Sequence, residues 1–158
     1  MKRIALDTNI VNRIAATTGL IEEICTVAKA GRIIIVGIPT VRNELEQTPD
    51  LDRRALLVGV YDQFPREDVL DQASVWDASK WGQSLWGDGS HTGVSVEATR
   101  TGNTHRGARD GIIAVTASGK ADVLVTEDRE LKRKVCESTA QCEVWTFEDL
   151  IHLVRETK

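Results

Sequence analysis

The sequence is poor in several residue types, and each shortage excludes something. It has three cysteines, three prolines, one methionine, one tyrosine and two phenylalanines in 158 residues. Cys25, Cys136 and Cys142 are odd in number and form no C-x-x-C pair. That makes a poor disulfide framework and a poor cysteine metal site, so the thiols read as free, in a reducing cytoplasm. So few prolines exclude a Pro-rich extended chain. The longest apolar run, around Ile33 to Val36, is far too short to cross a bilayer. The start, MKRIALDTN, runs straight into charge, and the expectation is no targeting segment, no membrane and a cytoplasmic location. Positive charge is also short, with 20 Lys and Arg against 24 Asp and Glu, a net −4. A protein that coats a duplex by phosphate neutralisation alone would be basic. What is present is 41% hydrophobic and 28% charged residues, enough for a core and too apolar for a disordered chain.

Periodicity places the elements. Arg3 to Leu6 is a short strand candidate, and Ile10, Val11, Ile14 and Ala15 follow at helical steps. Leu20 to Lys29 is a second helix, ended by Gly31. Arg32 to Val36 is β-branched and apolar throughout, the pattern of a strand buried on both faces of a parallel sheet. Pro39 opens a helix through Glu46. Leu51 to Tyr61 and Glu67 to Leu85 are two more helix candidates. Gly87 to Gly107 is rich in Gly, Ser and Thr, a loop or loose hairpin through Val94 and Val96. Asp110 to Ser118 is an apolar helix, Val123 to Val125 a buried strand, and Asp128 to Glu137 a charged helix. Glu143 to Trp145 is a last strand, and Thr146 caps a helix through Arg155. Strands alternating with helices predict an α/β fold with a parallel sheet of four to five strands. Residues 1–158 read as one domain, with a polar loop insertion around 87–107.

Ligands of open parallel sheets bind at the carboxyl ends of the strands, so acids placed there carry the functional question. Asp7 closes the first strand, and Asp128 lies three residues past Val125. On the Pro39 helix, Glu44 falls between the inward positions Val41 and Leu45, whereas Glu46 faces solvent. Asp110 is expected in the first turn of the apolar helix. Singly, Asp7, Asp110 and Asp128 also read as helix caps and Glu44 as a surface residue. Together, four acids at one sheet edge repel one another, and a divalent cation is the usual compensation. An all-oxygen ligand set prefers Mg²⁺ or Mn²⁺.

These residues carry a resemblance. Asp7-Thr8-Asn9, Glu44, Asp110 followed by an Ile/Ala-rich helix, and Thr126-Glu127-Asp128 are similar, in order and context, to the four acidic signatures of the PIN domain. Leu131 stands where that family commonly has Phe, and the polar stretch around 87–107 is longer than in compact members. The resemblance implies a three-layer α/β/α sandwich and a metal-dependent endoribonuclease that hydrolyses RNA phosphodiesters. It further implies the toxin of a toxin–antitoxin pair, with a cognate antitoxin as partner; a homodimer is a separate expectation, from the tryptophan left outward among Trp76, Trp81 and Trp86. Asp7, Glu44, Asp110 and Asp128 would then be catalytic and hold one or two Mg²⁺ or Mn²⁺ ions, with Thr8, Asn9 and Thr126 orienting them. The alternative is a non-catalytic scaffold or RNA-binding module on the same fold. A haloacid-dehalogenase-type phosphatase would need an acid two residues after its nucleophilic Asp, and position 9 is Asn9.

An RNA strand needs positive charge beside such a pit. No acid lies between Glu97 and Asp110, whereas Arg100, Arg106 and Arg109 do; Arg129 and Lys132 follow Asp128. These five are the candidate RNA contacts. Trp76, Trp81 and Trp86 recur every five residues. On a helix they would diverge by ~140°, too far apart for one stacking platform, so most are expected between helices.

Overall fold

The computed structural model describes residues 1–157. The chain begins in the middle of its sheet. β1 (Lys2–Leu6) pairs in parallel with β2 (Ile33–Gly37) on one side and β4 (Val123–Val125) on the other. β3 (Arg66–Asp68) extends the sheet beyond β2, and β5 (Glu143–Trp145) extends it beyond β4. The order β3-β2-β1-β4-β5 is parallel throughout. Among the described residues eight α-helices complete it: α1 (Thr8–Ala16), α2 (Leu20–Lys29), α3 (Pro39–Glu46), α4 (Leu51–Gln63), α5 (Val96–Thr99), α6 (His105–Lys120), α7 (Arg129–Glu137) and α8 (Phe147–Glu156). The result is the three-layer α/β/α sandwich expected.

The sheet is a buried layer. Ile4, Ala5, Leu6, Ile33, Ile35, Val36, Val123, Leu124 and Val125 are all 2% exposed or less. Each large aliphatic side chain buried in this way contributes on the order of 1.5–3 kcal/mol of transfer free energy. Leu131 is likewise fully buried. Cys25, Cys136 and Cys142 are free thiols. Among the described residues no helix is long and apolar enough to cross a membrane.

Three sequence expectations fail. The Glu67–Leu85 helix does not form. Residues 66–68 instead pair as an edge strand, and the chain then runs irregularly to a 3-10 turn at Ser90–Thr92. Asp77 (φ 62°), Gly82, Gly87 and Gly89 take left-handed backbone angles that no continuing helix tolerates. The 87–107 stretch is no hairpin. It holds the 3-10 turn and α5, and Val94 and Val96 turn inward to pack with Ala73, Ile112 and Val115. Finally, α6 starts at His105, capped by Thr104, five residues before Asp110.

Candidate functional site

Strand order reverses between β1 and β4, because the chain builds outward through β2 and β3 before returning to β1's other side. Such a switch point opens a crevice at the carboxyl ends of the two strands. Asp7 follows β1 directly, and Thr126 follows β4. The Asp7 N–H donates to the Val125 carbonyl at 3.0 Å, so pairing continues to the lip of the crevice.

Asp7 is 4% exposed and held from three directions. It accepts from the Thr8 backbone N–H at 2.7 Å, the Asn9 amide at 2.6 Å and the Thr126 hydroxyl at 2.7 Å. The same Thr126 Oγ1 accepts the Asp128 N–H at 3.0 Å, and Asn9 Oδ1 accepts the Glu127 N–H at 3.2 Å. Asn9 and Thr126 thus tie the loop after β4 to the loop after β1. Glu44 lies on α3 between buried Val41 and Leu45 and accepts a hydrogen bond from the Thr8 hydroxyl at Oε2. Asp110, 8% exposed, accepts from the Thr101 hydroxyl at Oδ2. Asp128 Oδ1 accepts the Leu131 N–H at 2.9 Å.

The capping alternatives therefore divide. Asp7 and Asp128 do cap α1 and α7. Asp110 caps nothing; it sits in the second turn of α6, inside a row of buried residues. Glu44 is half-buried rather than exposed.

Electrostatics brings the four acids into one group. Burial is the first cause that pushes the Asp7 carboxyl up to about 6, with Asp110 and Asp128 adding to it. Burial also pushes Glu44 up to about 7; Asp7 and Asp110 add to the rise, and Arg109 opposes it. Asp110 is raised by burial and then by Asp128 and Glu130, against Thr101 and Arg106. Carboxyls this far up in a crevice mark a functional-site candidate.

The donor chemistry fits Mg²⁺ or Mn²⁺: four carboxylates, with hydroxyl and amide groups engaging one oxygen each of Glu44, Asp110 and Asp128. Among the described residues no three His, Cys, Asp or Glu side chains are gathered as a ready metal site.

Of the five cations expected to line the crevice, Arg106 and Arg109 act on Asp110 and Glu44. Arg100 turns to Glu97, at 3.1 Å, and to the Gly102 carbonyl. Lys132 acts on Asp149 at the start of α8. Arg129 is exposed at the start of α7. Sequence reasoning missed Thr101, which reaches Asp110 only because residues 100–107 fold back over the start of α6. The Thr101 N–H donates to the Gly107 carbonyl at 3.3 Å. Nothing local in the sequence signals that return.

Compared with known proteins, the chain matches no family model and no curated protein.

Proposed function

We propose that the chain is a PIN-like, Mg²⁺- or Mn²⁺-dependent ribonuclease. The observation that supports this most is the meeting of Asp7, Glu44, Asp110 and Asp128 at the β1/β4 switch point, where burial and mutual repulsion push carboxyls up. A scaffold gains nothing from holding like charges together, whereas a site for divalent ions needs them.

Bound there, divalent ions would lower the pKa of a water and neutralise charge building on the phosphate. The chain's own residues do the holding. Asp7 and Asp110 are the buried anchors, and Glu44 and Asp128 complete the oxygen set. Thr8 fixes the Glu44 carboxylate, Thr101 fixes Asp110, and Asn9 and Thr126 fix Asp7. Oriented donors of this kind keep ligands in one rotamer. Arg106 and Arg109, beside the acids, supply positive charge for the phosphates.

The test is cleavage of a mixed RNA pool in Mn²⁺, in EDTA, and by Asp7→Asn and Asp110→Asn. Cleavage is expected in Mn²⁺ alone and only from the unsubstituted protein. Cleavage indifferent to both EDTA and the substitutions overturns the proposal. A second reading is a non-catalytic scaffold or RNA-binding module, since among the described residues no three His, Cys, Asp or Glu side chains are gathered as a ready metal site. RNA binding without cleavage in any metal would select it.

A further inference from the structure

Seven aromatic residues serve the whole chain, and three of them, Trp76, Trp81 and Trp86, stand 84%, 84% and 76% exposed on one short segment. This reverses the expectation of burial between helices, because the helix that would have hidden them does not form. Each indole could bury on the order of 150–250 Å², so leaving three in water is costly unless they meet something. They line one groove of about 370 Å³ together with Asp77, Ser79, Lys80 and Ser84. Trp81 and Trp86 lie with centroids 5.6 Å apart and planes at 72°, an edge-to-face pair that still leaves both indoles largely in water.

The segment is strapped to the two helices that carry Glu44 and Asp110. On α3, Asp71 accepts from the Thr40 hydroxyl at 2.7 Å, Gln83 accepts from Asn43 at 2.8 Å, and Lys80 meets Glu46 at 3.5 Å. Asn43 and Glu46 lie within one turn of Glu44. On α6, the Gln72 N–H donates to the Thr116 hydroxyl at 3.0 Å, and Val75 and Ala78 pack with Ile112 and Val115. A bridge between Asp71 and Ser84 closes the base of the segment. The segment that carries the indoles is thus tied to both helices.

We propose that this tryptophan groove is a stacking subsite for an unpaired nucleobase of a single-stranded RNA whose backbone runs on to the acidic crevice. A flat ring stacks on an open indole face whatever its hydrogen-bonding edge, and Lys80, shared with Glu46, is the cation of the groove lining. Continuity with the crevice through α3 favours a strand spanning both over a separate protein ligand. The inference rests on the ribonuclease proposal for its substrate class.

The test titrates a twelve-nucleotide single-stranded RNA into the full chain in EDTA, followed by tryptophan fluorescence and by anisotropy of a labelled strand. Trp81→Ala and Trp86→Ala are compared with Trp81→Tyr, which keeps a stacking ring. Because these side chains are exposed, melting temperatures should stay close to that of the parent. The expected result is quenching on binding and roughly ten- to hundredfold weaker binding for the alanine variants. Trp81→Tyr should bind nearly normally, and a duplex of the same sequence should be insensitive to all three. In Mn²⁺ the alanine variants should raise KM and leave kcat little changed. Alanine variants that bind and cleave as the parent does overturn the subsite, leave the nuclease standing, and hand the groove to a protein partner. Tryptophan-dependent binding with no cleavage in any metal leaves the subsite standing and overturns the nuclease.

Discussion

Glu44→Gln isolates the cost of the acidic crevice. Glu44 is pushed from its ordinary 4.5 to about 7. That rise, about two and a half units at 1.36 kcal/mol each, places on the order of 3 kcal/mol of penalty on the ionised form. Glutamine keeps an oxygen for the Thr8 hydroxyl and removes the charge. A weaker hydrogen bond to a neutral acceptor returns ~1 kcal/mol, which leaves a net gain of roughly 1–2 kcal/mol. For a chain of this size each kcal/mol moves Tm by about 2–4 °C, so a rise of several degrees is expected at pH 8 in EDTA. The sign follows from linkage: the folded carboxyl binds its proton more tightly than the unfolded one. The wild-type penalty is therefore small near pH 4.5, grows as pH rises, and is full above about 7. Thermal melts at pH 8 and pH 4.5 should show the advantage of the variant at the first and little at the second. Adding Mn²⁺ at pH 8 should raise the wild-type Tm more than that of the variant. A loss of several degrees for Glu44→Gln at pH 8 in EDTA, or an equal difference at both pH values, would refute the reasoning.

Asp71 obeys the same sign outside the crevice. Burial pushes it up to about 6 against its bonds from Thr40, so stability falls as pH rises from about 4 to 6. Asp71→Asn should flatten that interval in urea unfolding measured at both ends. Gly107→Ala puts a Cβ 1.8 Å from the Thr101 carbonyl oxygen; a loss of at least ~2 kcal/mol is expected in the same assay, together with a fall in RNA cleavage as Thr101 leaves Asp110. Gly59→Ala on α4 meets nothing within 4 Å and should raise stability by roughly 0.5–1 kcal/mol. Asp110→Asn in EDTA should leave Tm unchanged or raised, because it removes one of the charges that Asp7 and Glu44 face; a large fall would make Asp110 a structural residue.

Much of the fold was legible because it is local. The β-branched run at Ile33–Val36 and the short apolar run at Val123–Val125 suit only buried strands. Glu44 was legible as inward because its phase on α3 is set by Val41 and Leu45 on either side. β3 was not legible: Arg66-Glu67-Asp68 has no strand character of its own and takes that form by pairing with β2. The depth of Asp110 in α6 was hidden by the polar turn His105–Arg109, which looks like loop until Thr104 caps it. Arg106 and Arg109 oppose the raised carboxyls of Asp110 and Glu44, while Arg100 pairs with Glu97 and Lys132 acts on Asp149, a difference of placement rather than residue type.

The sequence by itself determined an α/β chain and a parallel sheet. It also offered Asp7 at a strand end and Glu44 at an inward helix phase, because those features need only neighbours a few residues away. The tertiary structure alone decided that β1 and β4 sit side by side, since strand order is a matter of which edges meet. From that followed the crevice and the neighbours that raise the carboxyls of Asp7 and Glu44. The tertiary structure alone also decided that Thr101 reaches Asp110 and that three tryptophans of one segment stand in water. Left-handed residues break the helix there, and long-range bonds to α3 and α6 set what replaces it.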